Sequence, residues 1–134
     1  MGAIFRTADA LGIAKVYLCG ITGHPPRSEI SKVALGAEAW IPWEFRAAAW
    51  ELIGELRKQG YAIVALEKTD ASQSIENFKP KFPLALIVGN EVKGISQTML
   101  AAVDQVVHIP MVGRKESLNV AVAAGIGAFT LLQK

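Results

Sequence analysis

The sequence predicts an α/β fold with a mostly parallel sheet flanked by helices. Short apolar runs of strand length alternate with stretches of helical period along the chain, the pattern of strand–helix–strand units rather than of hairpins. One run, Phe82-Pro83-Leu84-Ala85-Leu86-Ile87-Val88, is continuously apolar, as in a strand covered on both faces. Two of the runs lead into polar, glycine-containing loops, and open parallel sheets bind ligands beyond the carboxyl ends of their strands.

The elements follow in order. Residues 3–11 read as a helix, with Ile4, Ala8 and Leu11 at helical spacing, Ala3, Thr7 and Ala10 alongside, and Gly12 placed to end it. Residues 15–20 read as a strand and 21–27 as a loop containing Gly23 and Pro25-Pro26. Residues 28–35 read as a short helix capped by Ser28, and 36–43 as a loop with room for a short strand. Residues 46–59 form an amphipathic helix with the stripe Ala49, Leu52, Ile53 and Leu56, ended by Gly60. A strand over 61–66 precedes a polar connector, 69–81, with one helical turn. Strand 84–88, helix 95–103, strand 105–109 and helix 118–132 complete the chain. Trp40, Trp43 and Trp50 read as core anchors, with an interface as the alternative.

With 134 residues, 51% hydrophobic and 19% charged, the chain suits one folded domain over residues 1–134 and not a disordered segment. The apolar stretch 120–132 is too short to span a membrane. The absence of a recognisable signal peptide and the single cysteine, Cys19, fit a reducing cytoplasm. The net charge of +2 is too small to argue for nucleic acid by itself. A phosphate-tracking surface would draw on Lys15, Arg27, Lys32, Lys79, Lys81, Arg114 and Lys115, each of which also reads as an ordinary solvated side chain. There is no dinucleotide glycine fingerprint, and no cysteines and histidines at metal spacing; His24 and His108 read as structural or surface residues.

Three stretches carry chemistry. From Ile109 to Ala124 a β-type run, a polar loop and a small-residue helix opened by Ser117 and Asn119 follow one another. Such a loop ends on a helix N-terminus, with free donors and positive partial charge, and is equally the pattern of a plain strand–loop–helix joint. In Gly89-Asn90-Glu91-Val92-Lys93-Gly94 two glycines bracket a carboxylate and an ammonium, and glycine admits a ligand close to the backbone. Glu91 reads either as a site carboxylate or as a surface partner of Lys93. The third stretch is the first helix, where Arg6 sits among apolar neighbours and reads as a site residue or as a surface salt-bridge partner.

Together these stretches resemble the three motifs of the SpoU (TrmH-type) branch of the SPOUT RNA methyltransferases: G-x-x-x-R-T-A from Gly2, G-N-E-x-x-G from Gly89, and I-P-M-x-G-x-x-x-S-L-N-V from Ile109. The resemblance runs from Gly2 to about Phe129. It implies a SPOUT fold whose C-terminal part is threaded into a deep trefoil knot that holds S-adenosyl-L-methionine. The small residues Ala121, Ala123, Ala124, Gly125, Gly127 and Ala128 suit close packing there, as they suit any buried helix.

The resemblance further implies methylation of a ribose 2′-hydroxyl in transfer or ribosomal RNA, with a leaning to transfer RNA, by a cytoplasmic homodimer without a metal or a membrane anchor. Arg6, Glu91, Ser117 and Asn119 are the implied catalytic set, with Arg6 activating the hydroxyl. Since guanidinium stays protonated, it would stabilise developing negative charge rather than accept the proton. The implied cofactor-binding positions are Leu66, Glu67, Gly89, Ile109, Met111 and Leu118. The family's first motif has an Asn two residues before its glycine and a strand before that; here Gly2 follows Met1, so that strand is expected to be missing. The sequence is also compatible with two other readings: an RNA-binding or assembly protein that retains the fold without activity, and a generic nucleotide-binding α/β domain.

Overall fold

In a computed structural model of the chain, residues 2–19, 40–89, 93–114 and 117–134 are described. The expected loop 21–27, the helix over 28–35 and residues 36–39 lie outside them, as do Glu91, His24, Arg27, Lys32 and Lys115. The chain forms two compact units, Met1–Ala49 and Trp50–Lys134.

In the first unit, helix α1 (Gly2–Leu11) buries Gly2, Phe5 and Ala8. The covered face is thus centred on Phe5 rather than on the expected Ile4–Leu11 line, because the aromatic ring has the most apolar surface to hide. Gly12, at φ 71°, ends the helix: its N–H and that of Ile13 bond back to Asp9 O (3.2 Å) and Ala8 O (2.9 Å). Strand β1 (Val16–Cys19) runs parallel to β2 (Trp43–Arg46), with Val16 opposite Trp43. Phe5, Ala8, Leu18 and Ile41 form a small core, joined by Ile13, Val16 and Trp43. Beside it the Glu44 carboxylate bridges Lys15 Nζ (3.0 Å) and Arg46 Nη1 (3.1 Å). Lys15, a candidate phosphate ligand, is therefore engaged in an ion pair.

Strand β2 takes residues that the sequence assigns partly to a loop and partly to the start of the next helix. Trp43-Glu44-Phe45-Arg46 alternates aromatic and charged residues and finds a pairing partner in β1, so the strand wins locally. Of the three tryptophans expected in the core, only Trp43 packs there; Trp40 (68% exposed) and Trp50 (64%) are at the surface.

Helix α2 (Ala49–Lys58) buries Leu52, Ile53 and Leu56 of the predicted stripe, while Ala49, its first residue, is half-buried. It ends in the same backbone motif as α1, with Gly60 at φ 93° and Tyr61 N–H donating to Leu56 O (3.0 Å). The sheet of the second unit follows: β3 (Ala62–Leu66), β4 (Gln73–Ser74), β5 (Leu84–Val88) and β6 (Gln105–His108), in the spatial order β4-β6-β3-β5 and parallel throughout. Helix α3 (Gln97–Ala102), capped by Ser96, joins β5 to β6, and α4 (Val120–Leu132) closes the chain.

Two expectations need correction. The connector 69–81 is not merely polar linker: Gln73–Ser74 pairs with β6, and Ile75 and Phe78 enter the core. A two-residue polar strand has no period of its own and exists only because β6 offers it an edge. Strand β5 is half-buried along its whole length rather than covered on both faces, because it lies at the edge of the four-stranded sheet.

The core of this unit joins Val64, Leu66 and Val107 on one face of the sheet to Ile75, Phe78 and Leu131, with Leu84, Leu86, Val88 and Ala123 packed around them. At the opposite end of the strands Asp104 ties β3 and α2 together through three bonds. Its Oδ2 accepts from Ile63 N–H (2.7 Å), its Oδ1 from Arg57 (3.2 Å), and its own N–H donates to Ile63 O (2.9 Å).

Candidate functional site: a cleft at the carboxyl ends of the strands

Because β3, β5 and β6 are parallel and adjacent, their carboxyl ends emerge together. There they open a cleft of about 360 Å³, within the range of small-molecule pockets. One wall is the end of β3 and the residues after it, Leu66, Glu67 and Lys68; a second is Val88 at the end of β5 and Gly89 after it, with Lys93 and Gly94. His108, Ile109 and Met111 continue β6 along a third side, and Ser117, Leu118, Val120 and Ala123 bring in the start of α4.

Two glycines shape the cleft. Any β-carbon on Gly89 would stand 2.5 Å from Gly94 C and 2.6 Å from Ile95 N, so only glycine lets these two loop segments touch. Gly94 has φ 66°, and the Glu67 carboxylate packs against it, with Oε1 2.8 Å from where a β-carbon would sit. Among the described residues, the lining combines apolar side chains, the main chain of Gly89 and Gly94, the Glu67 carboxylate, and Lys68 and Lys93.

The structure brings together Leu66, Glu67, Gly89, Ile109, Met111 and Leu118, all of which line this one cleft, and adds Ser117 at its rim. Asn119 is the N-cap of α4: its Oδ1 accepts from the N–H groups of Ala121 (2.9 Å) and Val122 (3.3 Å). Arg6 is exposed on α1 in the first unit, and Glu91 lies outside the described residues. Sequence reasoning missed Lys68, Val88, His108, Val120 and Ala123. The available signal was position: the last residue of a parallel strand and the first turn of the following helix flank any such cleft. His108, read as structural or surface, is part of the wall.

Among the described residues, no group of three or more His, Cys, Asp or Glu side chains is placed to hold a metal ion, and no helix is long and apolar enough to cross a membrane.

Fold and site together define a parallel α/β protein with a small-ligand cleft at the carboxyl ends of its strands. The chain belongs to the SpoU rRNA Methylase family, which matches residues 1–129.

Among its relatives is a tRNA (guanosine(18)-2′-O)-methyltransferase of Escherichia coli (strain K12), 32% identical over 126 residues, covering 94% of this chain and 54% of the relative. Another is the 23S rRNA (guanosine-2′-O-)-methyltransferase RlmB of Vibrio parahaemolyticus, 32% identical over 134 residues, covering 100% of this chain and 54% of the relative. An AdoMet-bound rRNA methyltransferase from Sinorhizobium meliloti superposes with a TM-score of 0.91 at 30% identity, covering 98% of this chain and 50% of that one. The A. aeolicus TrmH/SpoU tRNA modifying enzyme superposes with a TM-score of 0.88 at 30% identity, covering 98% and 66%. This chain thus spans about half the length of the curated relatives it matches.

Proposed function

We propose that this protein is an S-adenosyl-L-methionine-dependent RNA methyltransferase that modifies a ribose 2′-hydroxyl of transfer or ribosomal RNA. The observation that carries the reading is the convergence of Leu66, Glu67, Gly89, Ile109, Met111 and Leu118, drawn from three separate stretches of sequence, on one cleft. Relatives named as guanosine 2′-O-methyltransferases and the AdoMet-bound neighbour support it.

The lining fits such a cofactor. Leu66, Val88, Ile109, Met111 and Leu118 offer an apolar slot for an aromatic base, main-chain groups around Gly89 and Gly94 are open to close approach, and Glu67 accepts hydrogen bonds from hydroxyls. When bound, the cofactor would supply a methyl group on a sulfonium, with a neutral thioether as the good leaving group. The protein's work is to hold and orient the hydroxyl. In this reading Arg6 is the catalytic cation: its permanently protonated guanidinium steadies negative charge on the ribose oxygen while phosphate or water takes the proton. Glu91 orients Arg6, Asn119 fixes the start of α4 by capping it, and Ser117 lines the cleft just before that cap.

The reading includes one domain over residues 1–134, a homodimer and a cytoplasmic location. The family match extends across both compact units. Helix α4 has no charged residue, and while Gly127 and Leu131 are buried, Val122 (50% exposed), Ile126 (41%) and Phe129 (53%) form an uncovered apolar stripe suited to a second copy. A C-terminal knot is supported by β6 lying between β3 and β4, two strands that the chain joins directly through residues 67–72.

Transfer of tritium-labelled methyl groups from S-adenosylmethionine to total RNA tests the reading. Incorporation is expected, and Arg6→Ala is expected to lower it on the order of 100-fold or more. RNA binding with no incorporation supports instead a non-enzymatic RNA-binding protein of the same fold.

A further inference from the structure

We propose that His108 is a positioning residue: held in its Nδ1–H tautomer by Ser72, it latches residues 67–72, one wall of the cleft, to the end of β6. The proposal rests on the cleft being the cofactor site.

The tautomer follows from counting protons around one hydroxyl. Ser72 Oγ lies 2.8 Å from Thr69 O, 3.0 Å from Thr69 N and 2.8 Å from His108 Nδ1. The Thr69 N–H can only donate, so Oγ accepts it. Thr69 O can only accept, and the one proton able to fill that O···O gap is the hydroxyl's own. With its proton used there, Oγ has a lone pair left for the imidazole. Nδ1 must therefore carry a hydrogen and donate. The other tautomer would set two bare lone pairs 2.8 Å apart, at one contact or the other.

The consequence is mechanical. Residues 67–72 leave β3 carrying Glu67 and Lys68 along the cleft. One end of this segment is tied to β6 by Glu67 N–H donating to Val107 O (2.9 Å). The other end has the Ser72–His108 bond, and just beyond it Ile75 N–H donates to His108 O (2.9 Å). The side chain of His108 thus holds the far end of a segment whose near end carries the cleft's carboxylate. Without the bond, residues between Glu67 and Ser72 lose their only described side-chain tie to β6, and the wall must be ordered at the expense of ligand binding.

Two measurements on the full chain test this. The first is the nitrogen-15 shifts of the His108 imidazole without ligand, at about pH 8, where an ordinary imidazole is neutral. A His108→Asn sample separates its signals from those of His24. A protonated Nδ1 and bare Nε2 are expected; the reverse overturns the proposal.

The second is calorimetry with S-adenosylhomocysteine. His108→Ala and Ser72→Ala are each expected to weaken binding about tenfold, and the double variant no further than either alone. His108→Asn, whose amide N–H replaces Nδ1–H, is expected to recover most of the loss, whereas His108→Gln, which extends to the Nε2 position, is not. Additive losses, or rescue by Gln and not Asn, overturn the latch. If the wild type fails to bind S-adenosylhomocysteine, the cofactor reading falls, while the nitrogen shifts still decide the tautomer.

Discussion

Gly89 and Gly94 touch through their main chains: a β-carbon built on Gly89 would lie 2.5 Å from the carbonyl carbon of Gly94. The contact holds the exit of β5 against the approach to α3, and both glycines face the proposed cofactor cleft. Backbone cannot step aside as a side chain can. Gly89→Ala is therefore expected to destabilise the protein by about 1–3 kcal/mol and to lower affinity for S-adenosylhomocysteine, measured by urea unfolding and calorimetry. An alanine variant of wild-type stability would mean that the two segments part freely.

Asp104 predicts an asymmetry. Its carboxylate satisfies the N–H of Ile63, a fully buried residue, and also meets exposed Arg57. Asp104→Ala strands a buried donor and is expected to cost about 1–3 kcal/mol. Arg57→Ala removes the exposed ion pair and an exposed hydrogen bond to Ala102 O, and is expected to cost less than Asp104→Ala, about 1 kcal/mol or below. Equal losses in chemical denaturation would show that the ion pair, not the buried N–H, carries the contribution.

The Glu44 bridge makes the first unit sensitive to pH. Hydrogen bonding to Lys15 holds the Glu44 carboxyl below its ordinary value, and the same bond raises Lys15 above its own. A depressed carboxyl stabilises the fold above its unfolded pKa, and the contribution is lost as pH falls through the folded one. A raised lysine stabilises below its unfolded pKa, and its contribution is lost as pH rises through the folded one. The stabilisation therefore forms a plateau bounded by the acid and lysine ranges. Thermal unfolding between about pH 3 and about pH 7 should show a smaller acid decline in Glu44→Gln than in wild type. Parallel curves would exclude the bridge as the cause.

The apolar stripe on α4 predicts its own cover. Ile126→Glu places a charge in the middle of Val122, Ile126 and Phe129, all exposed within one chain. The wild type is expected to sediment as a dimer and the variant as a monomer that retains its helical circular dichroism. A monomeric wild type would leave the stripe without a second copy.

Much of this molecule is written locally. Gly12 and Gly60 end helices at the residues their backbone freedom marks, and the Leu52, Ile53, Leu56 stripe faces inward as its spacing demands. The three motif stretches could be recognised because each is a contiguous run in which side-chain chemistry, glycine placement and a neighbouring strand coincide. The strand Gln73–Ser74 had no such signature, and neither did the half-exposure of β5: both depend on which strand lies alongside.

Local sequence decides where the chain turns helical, where it extends and where it breaks, since those choices depend on residues a few positions apart. Only the tertiary structure decides that β6 inserts between β3 and β4, because parallel neighbours come from distant parts of the chain and any of several orders would satisfy the same apolar periods. That insertion puts Leu66, Gly89 and Ile109 around one space, and sets His108 against Ser72, a pairing across 36 positions that no local pattern encodes.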